Sequence, residues 1–405
     1  MSRLLARRTT RLSDAEAVVR PILEAVRKRG DKALLAYTRK FDGLERKSVR
    51  VPERELVAAC GNLSPQFRTA VETASANIRS FARMQMPAEW LNEVAPGLLL
   101  GQILRPLDTV AAYIPAGRYP LPSTLMMTAI PAQVAGVRRV CVACPRPVTE
   151  ILGTARLLAI PDVFQMGGAQ AIAAFAFGTR TVPKADRIVG PGNIYVAAAK
   201  KLLAGETGID FVAGPTEILI IAADGQAESL AADMLAQAEH DTDACAILLT
   251  PSKKLAGAVA AEIERQLCTL PTAGVAKQSI RRNSAIVIVR SLHEAIQIAN
   301  RFAPEHLSIP DEKLLETVNH AGSVFIGPFS PEAAGDYASG PNHVLPTSGA
   351  ARLRGGLSVM DYLKVISVQQ LSLGALQRLA PTVTTLARAE GLEAHARSVE
   401  VRTRG

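Results

Sequence analysis

The chain has 405 residues, 48% of them hydrophobic and 4% aromatic, with a formal charge of +9 and five cysteines. A chain of that length buries a large core and argues for about two or three domains rather than one small binding module. The positive charge is scattered over Arg3, Arg7, Arg8, Arg138, Arg139, Arg281, Arg282 and Arg402 without a basic block, and stacking aromatics are scarce. Nucleic-acid binding is therefore disfavoured, while an anionic cofactor would suit such a surface.

At the start, "MSRLLARRTTRLSDAEAVV" carries positive charge but no apolar core of signal-peptide length before Asp14 and Glu16. It has the Arg/Ser/Thr bias of a transit peptide, yet the helical pattern begins by Asp14. No apolar run reaches the ~18 residues needed to cross a bilayer, and an odd number of cysteines fits free thiols in a reducing compartment. A soluble, cytoplasmic protein with no membrane partner is expected.

Residues 13–82 read as helical, with Ser13 as an N-cap candidate, Gly30 as a stop and a second helix from Asp31. From about residue 105, short apolar runs alternate with helices: "TVAAYIP", "MMTAIPAQVAG", "RRVCVAC", "ARLLA", "VFQMGG", "AQAIAAFAFG", "DRIVG", "NIYVAAAKKLLAG", "EILIIAAD". This is the signature of βα units and a largely parallel sheet. Cys141 and Cys144 form a C-x-x-C within a strand that ends at Pro145. Residues three apart on a strand face opposite sides, so the pair reads as core rather than as a chelator or disulfide. In "MGGAQAIAAFAFGT" and "IVGPGNIYVAAAKK", glycines stand between an apolar run and a helix start, where bare backbone N–H groups could hold phosphate. There is no G-x-G-x-x-G in the usual context.

In "AADMLAQAEHD" an apolar stripe through Leu230 and Met234 runs on to Gln237 and His240. An amide oxygen and an imidazole nitrogen on one helix face could converge on a cation or form a structural hydrogen bond. The alternation resumes with "ACAILLT", "AGAVAAEIERQL", "SAIVIV", "LHEAIQIAN", "HLSI", "EKLLETV" and "GSVFIG", giving two α/β lobes. From Gly355 the pattern reads as helical to the end.

All six histidines lie in the second half, at 240, 293, 306, 320, 343 and 395. His293 and His320 read as solvated helix ends. In "PEHL", Glu305 and His306 follow Pro304. As the start of a strand they would point apart, and in a turn both could face one substrate with separate proton-transfer duties. "AAGDYASGPNHVLPT" gathers Asp336, Tyr337, Ser339, Asn342 and His343 between glycines and prolines, either as a site or as an ordinary polar loop. Glu390 and His395 would be about 140° apart on one helix, so sharing a site requires the helix to restart after Gly391.

In order along the chain, "VRKRGDKALLAYTRKFDG", "AAYIPAGRYPLPS", "GGAQAIAAFAFGT", "IVGPGNIYVAAAKK", "FVAGPTEILIIA", "QAEHD", "FAPEHL", "AGDYASGPNHVLPT" and "EGLEAHARSVEVR" closely resemble histidinol dehydrogenase. The resemblance implies a zinc- and NAD-dependent oxidoreductase that oxidises L-histidinol to L-histidine through bound histidinaldehyde, at the end of histidine biosynthesis. It implies Gln237, His240, Asp336 and His395 as ligands of one Zn2+ per subunit, His306 as the base that takes the hydroxyl proton, and Glu305 as the group that activates water. It further implies substrate contacts from Thr216, Gln237, His240, His306, Asp336, Glu390 and His395, and NAD+ contacts from Tyr113, Gln170 and Asn193.

The implied fold resembles that of aldehyde dehydrogenases: two incomplete Rossmann-like lobes with small helical extensions. Residues 1–30 would be an N-terminal helical extension, and 31–112 with 218–354 a first lobe holding the metal and catalytic residues. Residues 113–217 would be a second lobe on the dinucleotide side, and 355–405 a C-terminal extension crossing to the neighbour in a homodimer. Glu390 and His395 would then complete the partner's site. Three positions depart from the family's commonest pattern. Thr216 stands where serine is frequent and keeps the hydroxyl. Ala116 replaces a glycine, which matters for cofactor approach if that backbone needs positive φ. Val365 occupies a usually basic position. A paralogue oxidising another diol, such as a sulfonated one, would need a cationic contact near the metal, whereas Glu390 suits an amine. A non-catalytic nucleic-acid binder would instead exploit the +9 charge.

Overall fold

Helix α1 (Leu12–Arg29) has Asp14 in its first turn and Arg27, Lys28 and Arg29 in its last, complementing the helix dipole. Ser13, expected as its N-cap, lies inside the first turn. Gly30 interrupts the chain at φ 51°, and α2 (Asp31–Asp42) stops at Gly43 in the left-handed region. Helices α3 (Glu53–Gly61) and α4 (Pro65–Met84) follow, the latter capped by Ser64, whose hydroxyl accepts from the Phe67 N–H at 3.1 Å. The computed structural model describes residues 12–117, 119–212 and 214–404. The first eleven residues of the expected N-terminal extension, with Arg3, Arg7 and Arg8, lie outside them.

The chain divides into two units, Met1–Gln85 with Asp108–Tyr362, and Met86–Leu107 with Leu363–Gly405. Strands β1 (Trp90–Ala95) and β2 (Leu98–Pro106) belong to the second. In the first unit, β3 (Thr109–Tyr113), β4 (Arg139–Cys144), β5 (Asp162–Gln165), β6 (Arg187–Val189) and β7 (Gly208–Ile209) form a parallel sheet in the order β5-β4-β3-β6-β7. Strands β8 (Glu217–Ile221), β9 (Cys245–Thr250), β10 (Ala285–Ile288), β11 (His306–Ile309) and β12 (Ser323–Ile326) form another, in the order β10-β9-β8-β11-β12. The helices between strands include α5 (Pro122–Ala135), α6 (Thr149–Leu157), α7 (Gly168–Phe177), α8 (Ile194–Leu203), α9 (Ala227–Ala238), α10 (Lys253–Leu267), α11 (Ala273–Asn283), α12 (Leu292–Phe302) and the short α13 (Glu332–Tyr337). This is the α/β architecture of two parallel lobes expected from the alternating texture.

Every residue of β8 is buried, as expected of a strand covered on both faces. Ile218 and Ile220 pack with Met234 of α9 and Val259 of α10, while Leu219 and Ile221 pack on the other side with Ile296 and Phe302 of α12. In the other lobe, Val19 and Leu23 of α1 and Leu34 of α2 join Phe164, Phe175 and Ile188 in one core.

Cys141 and Cys144 lie on β4, are fully buried, and burial pushes both thiols up to about 12. Thiolate is scarce there at ordinary pH. Iodoacetamide at pH 8 is accordingly expected to label the exposed Cys268 of the folded protein and to spare both strand cysteines. Peptide mass spectrometry checks this, and native-state alkylation of Cys141 or Cys144 would contradict the packing.

In the second unit, β13 (Leu363–Leu371) pairs antiparallel with β2 from Leu363↔Pro106 to Leu371↔Leu98, giving the order β1-β2-β13. The helical reading from residue 355 onward is therefore wrong for 363–371. That segment's hydrogen-bond partner is more than 250 residues earlier in the chain, where local periodicity does not reach. Val365 is exposed on this strand opposite Leu104. Helices α14 (Leu373–Ala389) and α15 (Glu393–Thr403) end the unit. Gly391, at φ 77°, breaks them apart where the sequence required it, leaving Glu390 as the C-cap of α14 and His395 in the first turn of α15.

Candidate active site

The amino ends of β8 and β11 lie side by side, with His306 in register with Ile218. Helix α12 ends at Ala303 in the left-handed region, and Pro304 blocks its continuation. Glu305 thus sits just ahead of the strand and His306 opens it. The alternatives left open by the sequence resolve in favour of a shared face. Both side chains are buried, and both line a cavity of about 320 Å³ with Thr216, His240, Asp336 and His343.

The Glu305 carboxylate accepts from the Thr216 hydroxyl at 2.6 Å and from the Glu217 N–H at 2.9 Å. His306 Nδ1 lies 3.2 Å from the Glu217 carbonyl oxygen, which can only accept, so the proton is on Nδ1. In the neutral ring Nε2 then carries the lone pair. It is buried and has no hydrogen-bond partner among the described residues, with Asp336 Oδ1 3.8 Å away. Asp336 comes from the last turn of α13, and its carbonyl accepts from His343 Nδ1 at 2.8 Å. The loop after it is more structural than its polarity suggests, because Asn342 is buried and donates to the Met127 carbonyl at 2.6 Å.

Burial alone would push the His306 ring down, but the carboxylates of Glu332, Glu305 and Asp336 outweigh it and raise the ring to about 10. Burial raises the Glu305 carboxyl, partly offset by His306. At Asp336 burial also disfavours the charge, yet His306 and His343 win and hold the carboxyl below its usual range.

Glu332 carries no warning in the sequence, where it is one of many acids in a helix's first turn. It is almost fully buried, 3.5 Å from His306 Nδ1, and burial raises its carboxyl against the pull of His306. It also explains the polar end of the α9 stripe. The fully buried Gln237 amide donates to Glu332 at 2.9 Å and turns its oxygen to the Glu217 N–H at 3.1 Å.

His240 does not share the helix face with Gln237. Helix α9 ends at Ala238 with Glu239 as its C-cap, and the exposed His240 lies in the following turn. Its Nδ1 donates to the Ala236 carbonyl at 2.9 Å, satisfying an orphan acceptor of the helix end and leaving Nε2 as a free donor atom at the cavity wall. Ligand atoms of His306, Glu332 and Asp336 lie within 4.8 Å of one another. Nitrogen and oxygen donors of these kinds suit a divalent cation, and the set shares Asp336 with the four ligands that the resemblance implies. Glu390 and His395 belong to the second unit.

A second cavity, of about 530 Å³, lies at the carboxyl edge of the first sheet beside β3 and β6, and Tyr113, Gln170 and Asn193 all line it. Chain order reverses between those strands, the place where open α/β sheets take ligands. The reading of bare glycine N–H groups fails for three of the four glycines ahead of α7 and α8. Gly167 donates to Asp42 at 2.9 Å, Gly168 to the Tyr113 hydroxyl at 3.1 Å and Gly190 to Asp210 at 2.8 Å. Asn193 caps α8 with its own side chain, accepting from Tyr195 and Val196 N–H groups at 3.1 Å. Asp42 was missed. It holds the Gln170 amide at 3.0 Å, and its available signal was an acid at a helix C-terminus, against the dipole. Ala116 lines this cavity without strain, since positive φ outside glycine is confined to Ala159, Ala303 and Ser348 among the described residues.

Pro115 lines both cavities. The turn after β6 serves both as well, Pro191 and Gly192 facing the first and Asn193 the second. That turn is fixed by a buried Lys200–Asp210 ion pair, Lys200 donating to the Gly190 carbonyl at 3.0 Å.

A buried imidazole among carboxylates on the wall of one cavity, with a second cavity at the switch point of a parallel sheet, is an arrangement of the kind α/β enzymes carry. A profile of the histidinol dehydrogenase family matches residues 5–403. Histidinol dehydrogenase of Thermus thermophilus is 50% identical over 393 residues, covering 96% of this chain and 94% of that protein. The Methanothermobacter thermautotrophicus protein is 44% identical, covering 100% and 97%. A crystal structure of histidinol dehydrogenase from Elizabethkingia anophelis superposes with a TM-score of 0.93 at 38% identity, covering 97% and 92%. The chain belongs to the histidinol dehydrogenase family and is an oxidoreductase.

Proposed function

We propose that this enzyme oxidises L-histidinol to L-histidine, completing histidine biosynthesis, with NAD+ as acceptor and one zinc ion per subunit. The observation that carries the reading is His306: buried on the cavity wall, its Nδ1–H held by the Glu217 carbonyl, its Nε2 without a hydrogen-bond partner among the described residues. Nε2 takes the hydroxyl proton as the carbinol carbon gives up hydride. Glu305, on the same wall, then takes a proton from the water that adds to the aldehyde carbon of bound histidinaldehyde, preparing the second oxidation.

Gln237, His240 and Asp336, with His395 of the partner subunit, would hold the metal. Zinc supplies Lewis acidity at the substrate oxygen and anchors for its nitrogens, and NAD+ supplies the hydride acceptor. Thr216 and Glu390 complete the substrate contacts, and Tyr113, Gln170 and Asn193 hold the dinucleotide in the second cavity. The reading includes a homodimer, in which the C-terminal extension of one subunit reaches the other's site, and a cytoplasmic setting. Among the described residues no helix is long and apolar enough to cross a membrane.

A sulfonated diol is a poorer substrate on this reading. Glu305 and Asp336 line the catalytic cavity, and the described residues that line it include neither lysine nor arginine. The test is NADH formed per histidinol consumed. Two equivalents are expected, with activity lost on chelation and restored by zinc. One equivalent with aldehyde release would remove the role given to Glu305, and turnover indifferent to a strong chelator would remove the metal.

A further inference from the structure

The two parallel sheets have one topology. Order β5-β4-β3-β6-β7 maps strand for strand onto β10-β9-β8-β11-β12, β3 matching β8 and β6 matching β11. Each sheet therefore has a switch point beside its central strand, and ligands of open α/β sheets bind outside the carboxyl ends at that point. The first lobe has its 530 Å³ cavity there. The second lobe has a cavity too, of about 460 Å³, at the equivalent place. It is formed by the segments leaving β8 (222–226), β11 (310) and β12 (327–331), and by the side of α9 that carries Ser229 and Asp233. His306 and Thr216 stand at the opposite, amino ends of β8 and β11, so this cavity is separate from the catalytic one.

Its chemistry differs from that of its counterpart. Arg146 accompanies Asp42 in the first-lobe cavity, whereas Asp224 and Asp233 supply the only charged side chains lining the second. The rest is largely apolar, with Ile221 and Ile309 on the wall and the exposed Phe329 at the rim. Two carboxylates without a cation exclude phosphate-bearing ligands, a dinucleotide included. Asp233 projects from within α9 and has no hydrogen bond or ion pair with a described residue. It faces Asp224 across the cavity lining and lies near enough to Glu332 to raise that carboxyl, so the negative charge here has no cation beside it among the described residues.

We propose that this cavity is a second small-molecule site, taking a compact organic amine with an apolar body and using Asp233 as its counter-ion. The volume is that of a small-ligand pocket. The site stands on the second lobe's own geometry and does not depend on what fills the first-lobe cavity.

The probe is phenethylamine, with 2-phenylethanol and 3-phenylpropionate as neutral and anionic shape controls. Each is titrated calorimetrically into the full-length metal-loaded enzyme. The amine is expected to bind at least about tenfold more tightly than either control. Asp233→Asn should remove that preference. Ser229→Phe, which fills the cavity from an exposed helix position, should abolish binding by space rather than charge. Ser229→Phe should keep histidinol turnover within about threefold of the parent, the residue lying outside the catalytic machinery. Asp336→Asn should leave amine binding unchanged. The proposal is overturned if the amine binds no better than the alcohol, if neither Asp233→Asn nor Ser229→Phe weakens it, or if Asp336→Asn abolishes it, which would place the amine in the catalytic cavity.

Discussion

His306→Asn is expected to lower kcat for histidinol oxidation by about 10²–10⁴-fold, the range for losing a positioned general base, while leaving the melting temperature close to that of the parent. Asparagine is smaller and polar, and its amide can still donate to the Glu217 carbonyl that holds Nδ1 at 3.2 Å. What disappears is the lone pair of Nε2. The pH profile reports the same group independently. Only the neutral ring accepts a proton, so kcat/KM should rise with pH through the ring's pKa.

The carboxylates of Glu332, Glu305 and Asp336 raise that ring, which places the ascending limb on the alkaline side. Removing one negative charge with Glu332→Gln should move the limb to lower pH, because the imidazolium loses an attractive neighbour. A cation held at Asp336 would act in the same direction. Retention of more than about a tenth of kcat in His306→Asn, or a limb unmoved by Glu332→Gln, would locate the base elsewhere, with His343 the next group to test.

Much of the scaffold was legible because its causes are local. Parallel strands buried on both faces read as continuous apolar runs, as in "EILII" of β8, and the glycine at 391 marks a helix break whatever surrounds it. The failures share a different cause. Strand β13 pairs with β2 across most of the chain, and nothing within 363–371 announces that partner. His240 was placed on α9 although the helix ends two residues before it, because periodicity continues past the residue where the backbone leaves the helix. The glycines before α7 and α8 were read as open N–H groups. The occupants of Gly167, Gly168 and Gly190, namely Asp42, the Tyr113 hydroxyl and Asp210, come from other segments of the chain. Glu332 was invisible for the same reason, since burial and contact with His306 turn an ordinary helix-start acid into part of a site. Sequence picked out Glu305, His306 and Asp336, which share one cavity, and overlooked Glu332 and Asp42, whose contacts come from distant segments.

Whether a site is completed by two chains is decided by mixing variants. Equal amounts of His306→Asn and His395→Ala chains, each inactive alone, should recover about a quarter of wild-type activity after subunit exchange. Random pairing makes about half of the dimers hybrids. In a hybrid, one site joins the His306→Asn body to the His395→Ala tail and is doubly defective, while the other joins an intact body to an intact tail. One active site in two, in half of the dimers, gives the quarter. If His395 instead serves the site of its own chain, each site in a hybrid retains its single defect and mixing restores nothing. The measurement is histidinol-dependent NADH formation against mixing ratio. It should trace a maximum at equal proportions, and a flat line despite demonstrated exchange would return His395 to its own subunit or remove it from the site.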